Sequence, residues 1–136
     1  MMTRAGFAAH VAVGGEEMTI LLKRAYEAPS NEDGDRLLVE RLWPRGLTKE
    51  KAAIDEWFKD IAPSQALRKW YAHDPGKWEE FRRRYRDELK RNAEEVERLR
   101  GRVKKGRVTF IYAARDEKRN SAVVLKEYLA RTSPKA

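Results

Sequence analysis

RLLVERLWPRG, residues 36–46, reads as a buried strand that stops abruptly in charge, an aromatic and a proline. Its apolar residues within 37–42 fall on both faces, as in a sheet covered on two sides. Pro44 cannot donate to a β-ladder and ends the run. Near the other end, RVTFIYAARDEKRN, residues 107–120, has the same design. Its segment 108–114 is the most apolar strand, rich in β-branched and aromatic residues, and is expected at the centre of the sheet. It runs into charge, and Asn120 or Ser121 then caps a last helix. Two strands that end in charge are expected to meet at one site.

Outward from these two stretches, MTILLKRAY (18–26) reads as the first strand and EAPSNEDGD (27–35) as a surface loop. That loop is shorter than the 10–12 or so residues of an ordinary crossover with its helix. It admits an antiparallel pairing of the first two strands, or a tight irregular crossover to a parallel pair. Thr48 caps a short helix over 49–53, and IDEWFKDI (54–61) fits either a helical face or a short extended piece. Ser64 caps a helix carrying Leu67, Trp70 and Tyr71 on one face. His73-Asp74-Pro75 ends it and starts another, whose stripe is Trp78, Phe81, Tyr85 and Leu89. Val96, Leu99 and Val103 mark a further helix after Asn92, and Val124, Leu125, Tyr128 and Leu129 mark the last. The order β–β–helices–β–α predicts a single α/β domain over 18–131. Its core is a small, mostly parallel or mixed sheet with helices packed on it in Rossmann-like layers. Gly14-Gly15 sets off residues 1–17, read as a disordered N-terminal extension ahead of a start at Met18. Residues 132–136 read as a frayed tail.

The chain has 136 residues, enough for one core, and it has no cysteine. Disulfides, thiolate nucleophiles and cysteine-based metal sites are thereby excluded. No His/carboxylate spacing resembles a metal-ligand set, and no glycine-rich loop suggests a cofactor. No run approaches the roughly 20 apolar residues of a membrane span. No secretory signal is evident, and a cytoplasmic protein is the default.

Open α/β sheets bind ligands beyond the carboxyl ends of their strands. Three strand ends here carry polar groups. The first offers Arg24, the second Arg41, Trp43 and Arg45, and the third Tyr112, Arg115 and Asn120. The arginines suit a phosphate or carboxylate, the rings would form walls, and a helix start attracts anions. The expectation is a pocket for a small anionic ligand, as binder or enzyme. Asp116 is the best guess for a base and His73 a further catalytic candidate; Glu40 and Asp60 are other carboxylates that nothing ranks. The competing reading makes Asn120 a plain cap and pairs the arginines with neighbouring acids.

The net charge is +8. Residues 77–107 hold 13 basic against 7 acidic residues. Arg82, Arg83, Arg86 and Lys90 form the nucleic-acid alternative, a surface for phosphate contacts. A solvated face with Glu/Arg pairs at i, i+3 and i+4 explains the same run. Phe81 and Tyr85 fall on the apolar stripe, so they are not free to stack on bases. A protein-interaction module is the third reading.

The segments RLLVERLWPRGLTKEKAAIDEWFKDIAPS, LRKWYAHDPGKWEEFRRRY and VTFIYAARDEKRNSAVVL resemble the YeaO-like family, small bacterial and archaeal proteins grouped as a domain of unknown function. The resemblance runs from Met18 to about Leu129. It implies a compact single α/β domain, and it places Arg24, Arg41, Trp43, Pro44, Arg45, Ser64, Arg68, His73, Tyr112, Asp116 and Asn120 at motif positions. The family motif usually has Asp where this chain has Glu40. The resemblance implies no reaction, substrate or cofactor.

Overall fold

β5, Val108–Tyr112, is buried along its whole length, because it has a strand on each side and a layer of side chains on each face. The computed structural model describes residues 9–13 and 16–131. β2, Glu16–Arg24, lies on one side of β5, and β3, Asp35–Leu38, on the other; both run parallel to it. The two-residue β4, Glu56–Trp57, adds parallel to β3. β1, Ala9–Val13, closes the outer edge of β2 as an antiparallel strand. The sheet order is β1-β2-β5-β3-β4.

The first two predicted strands therefore run parallel without pairing, with β5 between them. Their connection must return along four residues of sheet and step across two strand spacings, about 10 Å. Ten residues reach up to roughly 33 Å when extended, so no helix is needed. A single turn of 3-10 helix, Asn31–Asp33, suffices, closed by a capping box between Ser30 and Asp33. Part of the segment read as a disordered extension, residues 9–13 and 16–17, belongs to the β1–β2 hairpin, in which Ala9 faces Ile20 and Val13 faces Glu16. The rest of that segment, and the tail 132–136, lie outside the described residues. β3 is shorter than the expected 37–42. Its last ladder bond is from the Val39 N–H to the Ile111 carbonyl, 3.1 Å, because β5 itself ends at Tyr112. Leu42, expected inside the strand, is 61% exposed.

The strands alternate between two layers. Val108, Phe110 and Tyr112, with Ile20, Leu37 and Val39, face the main core. That core is completed by α2 (Gln65–Tyr71), α3 (Trp78–Lys90), α4 (Ala93–Lys104) and α5 (Ser121–Arg131). Ala25, Leu38 and Ile111 face the other way, against Trp43, Leu47, Ile54 and Trp57. This second cover is the β3–β4 connection, which includes the short α1, Lys49–Ala52. All four long helices thus lie on one face, and the aromatic loop replaces helices on the other.

A buried ion cluster fixes the β2–β3 crossover. The Asp33 carboxylate accepts from Lys23 Nζ at 3.1 Å, Arg36 Nη1 at 2.6 Å and the Ser30 N–H at 3.0 Å. Arg36 also donates to the Ala52 and Ala53 carbonyls at the end of α1, 2.8 and 3.0 Å away. The buried Thr109 hydroxyl donates to the Asp33 carbonyl at 2.7 Å. Burial by itself raises the Asp33 carboxyl, but the Ser30 N–H, Lys23 and Arg36 together hold it below its ordinary 3.8. Next to it, Gly34 adopts φ +64, and a Cβ there would lie 2.2 Å from the Arg107 carbonyl oxygen.

Two stability predictions follow from this cluster. Gly34→Ala meets both a left-handed backbone and a fixed carbonyl, and is expected to cost about 3 kcal/mol in urea unfolding. Asp33→Ala leaves buried Arg36 without a carboxylate and is expected to cost about 3 kcal/mol at neutral pH. Because the native carboxyl titrates below 3.8, this contribution is complete above that value. It declines as the pH drops beneath 3.8 and is gone once the native form protonates. The difference between wild type and Asp33→Ala should therefore shrink in acid; a pH-independent difference contradicts the assignment.

Candidate functional site

A cavity of about 220 Å³ lies beyond the carboxyl ends of β3 and β5. Its floor comes from the two strand ends. Where the chain leaves β3, Glu40 turns back and its Oε2 accepts from the Ala113 N–H, just past β5, at 2.9 Å. The Glu40 carbonyl is held in turn by Trp57 Nε1 at 2.6 Å. Glu40 lines the cavity, and its Oε1 makes no hydrogen bond among the described residues. Burial pushes this carboxyl above its ordinary value, although the Ala113 N–H, Arg68 and His73 all act to lower it.

One wall is α2. Ser64 caps this helix, accepting from the Leu67 N–H at 3.1 Å, while its own N–H and hydroxyl donate to Glu88 at 2.8 and 2.6 Å. The preceding turn is tied down from two sides. Arg41 donates to the Pro63 and Ala62 carbonyls at 3.1 and 3.0 Å, and the Tyr85 hydroxyl to the Ile61 carbonyl at 2.7 Å. On this fixed helix Arg68 faces the cavity, and its guanidinium forms no hydrogen bond or ion pair among the described residues. Tyr71 stacks on Phe81 of α3, ring centroids 4.4 Å apart, and both rings line the space. Ala72 and His73 follow with φ of 48 and 56. These left-handed residues cost about 1 kcal/mol each and turn the chain so that His73 sits at the rim.

The opposite wall is the start of α5. Asn120 Oδ1 accepts from the Val123 N–H at 3.0 Å, and its amide donates to the Asp116 carbonyl at 2.9 Å. Asp116 accepts from the Lys118 and Arg119 N–H groups at 2.9 and 3.0 Å, which hold its carboxyl below the usual carboxylate value. Arg119 lines the cavity and pairs with Asp116 at 3.3 Å.

Of the residues named as candidates to hold or convert a ligand, the structure brings Asn120, His73 and the unranked carboxylate Glu40 to this cavity. Asn120 acts there as a helix cap. Arg24 supports the wall from behind, donating to the Ala114 carbonyl at 2.8 Å. Arg41 serves the 62–63 carbonyls. Tyr112 is packed in the main core, where burial lifts its phenol to about 12. Trp43 lies in the opposite layer, donating to the Leu47 carbonyl at 2.7 Å and set edge-on to Trp57. Arg45 and Arg115 are exposed, outside the lining. Asp116 is engaged in its own turn. Strand-end position alone missed Arg68 and Arg119, which sit on helix and loop. Arg68 stood among the motif positions of the family resemblance, and its place beside Leu67 on the buried edge of α2 is the physical signal that could have put it in the site.

The basic helical run is largely paired. Arg82 meets Glu79 and Glu127, Arg83 meets Glu80 and Asp87, and Arg84 meets Glu80. Arg86 is half-buried in α3, and Lys90 is exposed. Among the described residues no group of metal-ligating side chains gathers, and no helix is long and apolar enough to cross a membrane.

The chain is 41% identical to the uncharacterised protein YeaO of Escherichia coli K12 over 112 residues, 82% of this chain and 97% of that protein. It is 40% identical to the uncharacterised protein Rv3073c of Mycobacterium tuberculosis H37Rv over 115 residues, 83% of this chain and 95% of that one. No solved structure matches it. Residues 19–135 match the model of the DUF488-N3i family, described as the inactive DUF488-N3 subclade. The likeness to YeaO expected from the motifs and this family match agree: the chain is a member of the DUF488-N3i family.

Proposed function

We propose that the protein binds a small anion in the cavity between α2 and α5, and does so as a binder rather than a catalyst. The observation that carries this reading is Arg68, which lines the cavity and forms no hydrogen bond or ion pair among the described residues, its charge acting on Glu40 only at longer range. A guanidinium placed on a capped helix and left unpaired is a prepared site for a carboxylate or phosphate. Arg119 adds a second cation at the rim, and the first turn of α5 adds backbone N–H groups and the positive end of its dipole. The volume, about 220 Å³, lies below the 300 Å³ or so where pockets for drug-sized ligands begin and suits a metabolite.

The groups available for chemistry favour binding. Asp116, the expected base, is held deprotonated by two backbone N–H groups and by Arg119, which makes it a weak proton acceptor at neutral pH. His73 is exposed at the rim. The description of the family as an inactive subclade agrees with a binding role.

The test is ligand-induced stabilisation measured by thermal shift and calorimetry, with inorganic phosphate and 3-phenylpropanoate as probes. A ligand at ~100 times its dissociation constant adds about 2.7 kcal/mol. Arg68→Ala is expected to remove the stabilisation, while Arg45→Ala and Arg115→Ala retain it. Stabilisation that survives Arg68→Ala and is lost in Arg45→Ala or Arg115→Ala contradicts this site.

A further inference from the structure

The cavity holds two opposite demands, which narrows the ligand. Arg68 asks for an anion. Glu40, on the floor, offers an acceptor: Oε2 is satisfied by the Ala113 N–H, while Oε1 makes no hydrogen bond among the described residues and Glu40 lines the cavity. Arg68 and His73 lower the Glu40 carboxyl through their charge, but neither forms a hydrogen bond or ion pair with it among the described residues. A simple anion placed here would meet Arg68 and at the same time face an unanswered carboxylate. Burial already disfavours the charged form of this carboxyl and holds it above its ordinary value, so a second anion beside it is unfavourable. The third component is apolar: the Tyr71–Phe81 stack closes the side between the two charges.

We infer that the ligand is a small zwitterion, with an amine that meets Glu40 Oε1, a carboxylate or phosphate that meets Arg68, and an apolar portion against Tyr71 and Phe81. This rests on the anion-binding reading and goes beyond it by assigning a second, oppositely charged subsite. An amine satisfies Oε1 and removes the repulsion an anion alone would meet. A charge-assisted hydrogen bond from an ammonium is worth more than a neutral one, so the amine should contribute markedly to affinity.

The experiment compares matched probes by calorimetry on the full chain: L-phenylalanine with 3-phenylpropanoate, and O-phosphoethanolamine with ethyl phosphate. The amine-bearing member of at least one pair is expected to bind about tenfold or more tightly than its partner. Glu40→Gln should erase that preference while leaving the amine-free anions bound, and Glu40→Asp, which keeps the charge, should retain part of it. Arg68→Ala should weaken both members of a pair. Equal binding of both members to the wild-type chain overturns the zwitterion assignment and leaves the anion site standing. Absence of binding by all four probes at millimolar concentration overturns both. The wild-type comparison needs no variant, so it holds even if a Glu40 substitution disturbs the floor.

Discussion

The insertion of β5 between β2 and β3 is the constraint on which the rest of this molecule depends. The chain makes two parallel strands early, leaves a gap between them, and fills it only after four further helices. A gap of this kind has to be held to width from both ends. At one end the Asp33 cluster joins the crossover to α1 and to Thr109 of β5. At the other, Glu40 joins the end of β3 to the residue that follows β5. The same carboxylate that closes the sheet becomes the floor of the cavity. Site and fold are therefore coupled through one side chain.

Arginine does two kinds of work here. Arg24, Arg36 and Arg41 each donate to backbone carbonyls of irregular segments, at 113–114, 52–53 and 62–63. Parallel strands ending in loops leave carbonyls without ladder partners, and a planar guanidinium can serve two of them at once. Along α3 and α4, arginines pair instead with acids three or four residues away and with the sheet edge: Arg98 and Arg102 both meet Glu56 of β4. These pairs offset much of the helical charge. Arg68 belongs to neither group, and unlike Arg86 of α3, whose buried Nη1 also lacks a hydrogen-bond partner among the described residues, it lines the cavity, which marks that cavity as a place for an external partner.

Much of the fold was legible in the sequence. The run VTFIY is β-branched or aromatic at every position, a pattern that suits a strand covered on both faces, and it is the central strand. The helical stripes of Phe81, Tyr85 and Leu89, and of Val96, Leu99 and Val103, fall in the core as their spacing requires. The pairing of the first two strands was not legible, because the partner lies some seventy residues on and no local signal records it. The region of the cavity was indicated by the strand ends; its residues were less so. Arg41 and Arg45 flank Trp43-Pro44 and look like a ligand clamp in one dimension, yet their directions depend on where the 61–64 turn docks. Arg68 sits mid-helix, and only the packing of Leu67 and Tyr71 shows that it faces inward.

An amide chemical-shift titration of the labelled protein with L-phenylalanine would test the location of binding most directly. Shifts concentrated at Ala113, Ala114, Asn120 and Ser121, together with the Arg68 side-chain Nε–H, are the result this account requires. Shifts confined to residues 82–91 of α3 and its end, or to the Trp43–Arg45 corner with the cavity amides unmoved, would contradict it.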